Sequence, residues 1–255
     1  MYATDFLERA FLNVLRGNTL QAPGAVYIGL YLTSPGETGS GVELSYNGYE
    51  RQRVQFSSAS GNVIENTEQI TFPQSEVTSG TATYIGISDS KIAGNMLAYG
   101  RLTEELEIMA GEAPVFMPKD IQLAVAGSLS VAYKNKLLDV FNGKNIEGIT
   151  PHLALFSGDP DKSGGNELMG DNYERQEIVF SAPMENSTGE TTISNSNKIA
   201  FNRPTSNWGV WNHTVVMDSK RNGEAIWIYN RGLDKELKRG YMPIAEPGAL
   251  KFSIH

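Results

Sequence analysis

The tetrapeptide Tyr-Glu-Arg-Gln occurs at residues 49–52 and again at residues 173–176, 124 residues further on in a chain of 255. The blocks around it recur in the same order. FLNVLRG at 11–17 parallels LLDVFNG at 137–143, and YIGLYLTSP at 27–35 parallels HLALFSGDP at 152–160. GVEL at 41–44 parallels GNEL at 165–168, and ITFP at 70–73 parallels IAFN at 199–202. ISDSKIAG at 87–94 parallels VMDSKRNG at 216–223, and GEAPVFMPKDIQLAV at 111–125 parallels GYMPIAEPGALKFSI at 240–254. Collinear blocks with slowly drifting offsets are the signature of a duplicated unit. The expected units are 1–127 and 128–255, meeting near the AGSLS segment at 126–130.

Each unit opens with helical spacing. Phe6, Leu7, Ala10, Phe11, Val14 and Leu15 fall three or four residues apart and stop at Gly17; Tyr133, Leu137, Leu138 and Phe141 do the same before Gly143. Beyond these points the period changes to two. VYIGLYL, YERQRVQF, TATYIGIS, MLAYGRL and IQLAVA read as strands between Gly and Pro breaks. The YERQ segment is expected to enter a central strand, with Val54 and Phe56 facing the core, as Ile178 and Phe180 do in the second copy. Arg51 and Arg175 are expected to bridge acidic neighbours and fix register. The predicted fold is mainly β: two tandem antiparallel β-sandwich, jelly-roll-like domains, each with a short N-terminal amphipathic helix.

Charge and composition exclude several functions. A net charge of −8 without Lys/Arg runs argues against nucleic-acid partners. No cysteine is present, so disulfides, Cys-zinc sites and thiol chemistry are ruled out, and assembly in a reducing cytoplasm is compatible. Asp5, Glu8 and Arg9 interrupt the apolar N-terminal pattern, so no secretory leader is expected, and no apolar run is long enough for a membrane span. His152, His213 and His255 are far apart, and His152 and His213 align with Tyr27 and Tyr84, which reads as replaceable sheet surface rather than catalysis. No nucleophile elbow or phosphate loop occurs. The acidic segment at 159–170 starts like a calcium loop but ends on Gly170, so it is expected to be a solvated turn. No cofactor and no metal is expected.

All three tryptophans, Trp208, Trp211 and Trp227, lie in the second unit, where the first has Ser79, Ala82 and Ala98. They are either packing residues of a rebuilt core or a contact surface for a partner protein or a glycan.

The ordered motifs resemble a family of small tailed-bacteriophage virion proteins, often described as tail-fibre-like or structural. The resemblance is carried by Tyr27, Gly29, Leu30, Pro35, Gly48, Tyr49, Arg51, Val54, Phe56, Ile70, Phe72, Pro73, Gly86, Ile87, Asp89, Leu97, Tyr99, Gly100 and Leu102. The family's Trp-Gly pair is Ser79-Gly80 in the first unit and Trp208-Gly209 in the second, and the second unit departs further from the rest of the pattern. The resemblance implies a non-enzymatic virion component on tail, neck or capsid surface, present in several copies and assembled in the host bacterial cytoplasm, with other virion proteins as partners. The alternative it leaves open is a carbohydrate-binding host-attachment module that reads glycans through the Trp-bearing second unit.

Overall fold

A computed structural model describes residues 2–186 and 190–254. The first half runs β1 (Tyr2–Ala3), α1 (Asp5–Val14), β2 (Val26–Tyr31), β3 (Gln52–Val54), β4 (Val63–Glu65), β5 (Ile70–Thr71), β6 (Gly80–Ser88), β7 (Met96–Ile108), β8 (Val115–Phe116) and β9 (Gln122–Ala124). The second half runs α2 (Val131–Asp139), β10 (His152–Ser157), β11 (Asn166–Glu167), β12 (Gln176–Glu177), β13 (Met184–Glu185), β14 (Thr191–Ser194), β15 (Ile199–Ala200), β16 (Gly209–Met217), β17 (Ala225–Leu237), β18 (Ile244–Ala245) and β19 (Lys251–Ser253).

The main sheet of the first half has the order β1-β7-β6-β2-β3, and the ladders β4–β9 and β5–β8 close over its apolar face. In the second half β10, β16 and β17 take the places of β2, β6 and β7, while β11 and β12 share the free side of β10. The counterparts of the two short ladders are β14–β19 and β15–β18. Both halves are therefore antiparallel sandwiches of the same strand order. Even the irregularities repeat: a bulge breaks the β6–β7 ladder between Ala82 and Tyr84, and the β16–β17 ladder between Trp211 and His213.

One expectation needs correction. The YERQ segments lead into edge strands, since β3 pairs only with β2 and β12 only with β10. A two-residue period looks the same at an edge and in the middle of a sheet. What decides is where the chain goes next: Phe56 bridges to Asn66 and Phe180 to Asn195, so each segment crosses from the main sheet to the facing layer. Val54, Phe56, Ile178 and Phe180 are all buried by that crossing.

The helices join the halves. Leu7, Phe11, Leu12 and Val14 of α1 are buried, while Phe6 is 45% exposed although it falls within the apolar spacing. α1 packs on β7 of its own half and on β14 of the other; α2 packs on β17 of its own half and on β4 of the other. Phe11 lies edge-on to Tyr133 of α2 and to Trp227 of β17. The connection after each helix adds to this contact. Leu20 and Ile146, which align with each other, form an antiparallel bridge with N···O distances of 2.8 and 3.0 Å. Asn145 Oδ1 accepts from the Ala22 amide at 2.9 Å, and its counterpart Thr19 Oγ1 accepts from the Gly148 amide at 3.4 Å. This is the contact pattern of an isologous dimer, residue i on j and j on i, built within one chain. A single cluster of buried apolar side chains runs through both halves.

Candidate functional site

The strongest sequence signal builds an anchor that occurs once in each half. Arg51 lies eight residues after Glu43 and grips it with two parallel bonds, Nε to Oε1 and Nη2 to Oε2, both at 2.8 Å. Its remaining nitrogen, Nη1, donates to the Ser90 and Ala93 carbonyls of the β6–β7 turn. Arg175 does the same with Glu167, at 2.9 and 2.7 Å, and with the Ser219 and Asn222 carbonyls of the β16–β17 turn. The tyrosine sits beneath. Tyr49 Oη donates to Glu43 and accepts from the Leu30 amide at 2.8 Å; Tyr173 Oη donates to Glu167 and accepts from the Leu155 amide at 3.0 Å. Each tyrosine ring stacks on a phenylalanine, Phe72 or Phe201. Burial, helped by the adjacent glutamate, pushes both phenols far above their ordinary pKa, so they stay protonated as donors. The outer residues of the tetrapeptide repeat as well: Gln52 and Gln176 fold back onto the Glu50 and Glu174 carbonyls, and these glutamates pair with Lys91 and Lys220.

This arrangement clamps a strand, an edge and a turn together. A bidentate Arg–carboxylate pair suits that task because its geometry is fixed in two directions. Glu43 and Glu167 were visible in the paralleled GVEL and GNEL blocks but carried no role there; their constant spacing from the arginine was the usable signal.

The histidines differ from expectation. His152 and His213 are buried rather than on the sheet surface. They fit inside because each ring has a local partner, His152 Nδ1 at 2.8 Å from the Thr150 carbonyl and His213 Nδ1 at 2.8 Å from Asn212 Oδ1. His255 lies outside the described residues. In the acidic segment, Asp161 Oδ2 accepts from the Val131 amide at 2.8 Å and caps α2, while Asp159 pairs with Lys162. Among the described residues no three His, Asp or Glu side chains gather to hold a metal, and no helix is long and apolar enough to cross a membrane.

The three tryptophans are placed differently from one another. Trp208 is buried, donates Nε1–H to the Asp171 carbonyl and packs edge-on against Tyr173. Trp227 is buried between Phe11 and Phe252. Trp211 is half-buried, with the Arg231 guanidinium 3.6 Å above its ring. Trp211 and Trp227 line an open cavity of about 910 Å³ between the layers of the second sandwich, while Trp208 stands outside it.

With both clamps and both sandwiches described, comparison with known proteins adds one finding. A family model described as Podophage GP4 fiber I protein gp80 matches residues 2–124 and, a second time, residues 128–253. The chain belongs to this fibre I family. No curated protein matches it. Each matched segment of the chain contains one Tyr–Glu–Arg clamp, one α-helix and one sandwich. The resemblance to tail-fibre-like phage structural proteins thus holds for both copies, and the protein is a phage structural component by family.

Proposed function

We propose that the protein is a non-enzymatic subunit of a tailed-phage particle that attaches to tail, neck or head-surface proteins through protein–protein contacts. Two repeats, 1–127 and 128–255, act as one body. The observation that carries this reading is the use made of the repeated polar residues. Tyr49, Arg51 and their counterparts direct their hydrogen bonds to the protein's own backbone and neighbouring side chains, chiefly one glutamate in each half, as an ordered scaffold would. Exposed Tyr229, Leu233 and Ile244 on the second repeat supply apolar contact surface. The net charge of −8 fits a place away from packaged DNA, among other virion proteins and in several copies. The first repeat, closer to the family pattern, is the anchor, and the second projects or meets a separate partner.

Burial of Trp208 and Trp227, and the cover of Arg231 over Trp211, favour protein contact over the glycan-reading alternative, which needs an open aromatic face. Imaging of intact particles tests the proposal. Density for both repeats against neighbouring subunits, over roughly 1,000 Å² or more, is the expected result. A chain absent from the particle refutes it, and a first repeat projecting outward reverses the assignment of the anchor.

A further inference from the structure

The cavity of the second sandwich is where this repeat keeps the outline of the first with its side-chain volume redistributed. In the first repeat Phe116 lies edge-on to Phe72, with ring centroids 6.3 Å apart, and Ile85 is buried in the same sandwich. In the second repeat Phe201 stands in the place of Phe72, but Ala245 replaces Phe116 and Thr214 replaces Ile85. Phe201, Ala245 and Thr214 all line the cavity. A phenyl ring and a branched aliphatic side chain give way to small residues here, while Trp211 and Trp227, where the first repeat has Ala82 and Ala98, form other parts of the wall, and a hollow is left between them. Protein interiors leave few voids larger than a water molecule, and a largely apolar hollow of this volume is the size of a ligand site.

Charge indicates what accompanies the missing ring. Arg231, where the first repeat has Leu102, lines the cavity and donates Nη1–H to the Trp211 carbonyl at 3.2 Å. Lys251 lines it too. Among the described residues neither has a carboxylate within ion-pair distance, whereas the acid of the lining, Glu246, is held by Lys198 at 2.7 Å. The Thr214 hydroxyl accepts from Trp211 Nε1, so one of its lone pairs is used within the wall. Two residues of the lining, Tyr229 and Ile244, are 62% and 44% exposed, so the hollow continues into an apolar surface suited to a protein.

We propose that the cavity receives an aromatic side chain of another virion protein, inserted where Phe116 lies in the first repeat, with an adjacent carboxylate of that protein on Arg231. The attachment reading above supplies only the source of the ring; the chemistry of the site stands on the cavity itself.

The test uses the purified full chain and 3-phenylpropanoate as probe, with 3-phenylpropanamide and glucose as comparisons. The expected result is a set of NMR shifts on the Leu153, Leu155 and Val216 methyls and the Trp211 and Trp227 indoles, with the acid binding about tenfold more tightly than the amide. Ala245→Phe, which restores the first repeat's residue, abolishes binding; Thr214→Ile serves the same purpose should that variant not fold. Arg231→Leu brings acid and amide to equal affinity. No binding up to roughly 10 mM, binding undiminished by either filling substitution, or preferential binding of glucose overturns the inference. A chain seen on the particle that binds no probe refutes the cavity inference alone, while a chain absent from the particle refutes the attachment reading.

Discussion

A Cβ built on Gly86 would lie 2.6 Å from the terminal methyl of Met96. At the same two positions the second repeat has Val215 and Ala225, so the volume has moved from one side chain to the other. The cross-strand partner follows suit: Gly29 opposite Gly86 becomes Ala154 opposite Val215. Gly86→Val alone is expected to cost about 1–3 kcal/mol through overpacking. Gly86→Val with Met96→Ala should recover part of that loss, the remaining contact being the Tyr31 ring 2.8 Å from the same Cβ, read as the midpoint of urea unfolding. If the double variant is no better than the single, the two repeats have not traded volume here.

The clamp predicts a strong asymmetry between breaking and replacing it. Arg175→Ala leaves Glu167 and its tyrosine partner facing a largely enclosed site and should cost about 3–5 kcal/mol. Arg175→Met combined with Glu167→Met should cost much less. Denaturant midpoints for Arg175→Met, Glu167→Met and the double variant form the required cycle.

Ile146→Ala should destabilise the whole chain by about 2–4 kcal/mol, because the residue is buried on the contact between repeats. The continuous core also implies one unfolding transition. Amide exchange in β6 and β16 should report the same opening free energy; a gap of several kcal/mol would show that the repeats unfold separately.

Glu8 is buried on α1, and burial, followed by the nearby charges of Glu37, Asp5 and Glu190, raises its pKa from 4.5 to about 8. A carboxyl with a raised folded pKa binds its proton more tightly in the folded state. Its contribution is therefore complete below about pH 4.5 and is lost as pH rises through about 8. Stability should fall by about 2–4 kcal/mol across that window, and Glu8→Gln should flatten the fall. A wild-type profile unchanged by the substitution would refute this account.

Much of the architecture could be read from periodicity and repetition, since both are local properties of the chain. Phe56 and Phe180 could be placed in the core because their alternation has only one apolar face. What covers the helices could not be read. Leu12 is fully buried, yet its neighbours give it no special mark; the helix that carries it packs on β14 of the other repeat as well as on its own half. The burial of His152 was missed for a related reason: the partner that makes it tolerable is a backbone carbonyl, which no side-chain pattern reports. The cavity depends on Ala245, and a small residue in a short strand looks unremarkable until the layer opposite it is known.

The shared helices and the Leu20–Ile146 bridge give the chain a dimer's interface without a dimer's dependence on mass action. Two separate copies held by the same contacts would part on sufficient dilution, by an amount set by their concentration. Here the partner is always tethered, so its effective concentration is fixed by the linking segment around residues 126–130. A chain joined in this way keeps its pairing at any dilution, and its two halves can diverge without the risk of pairing like with like.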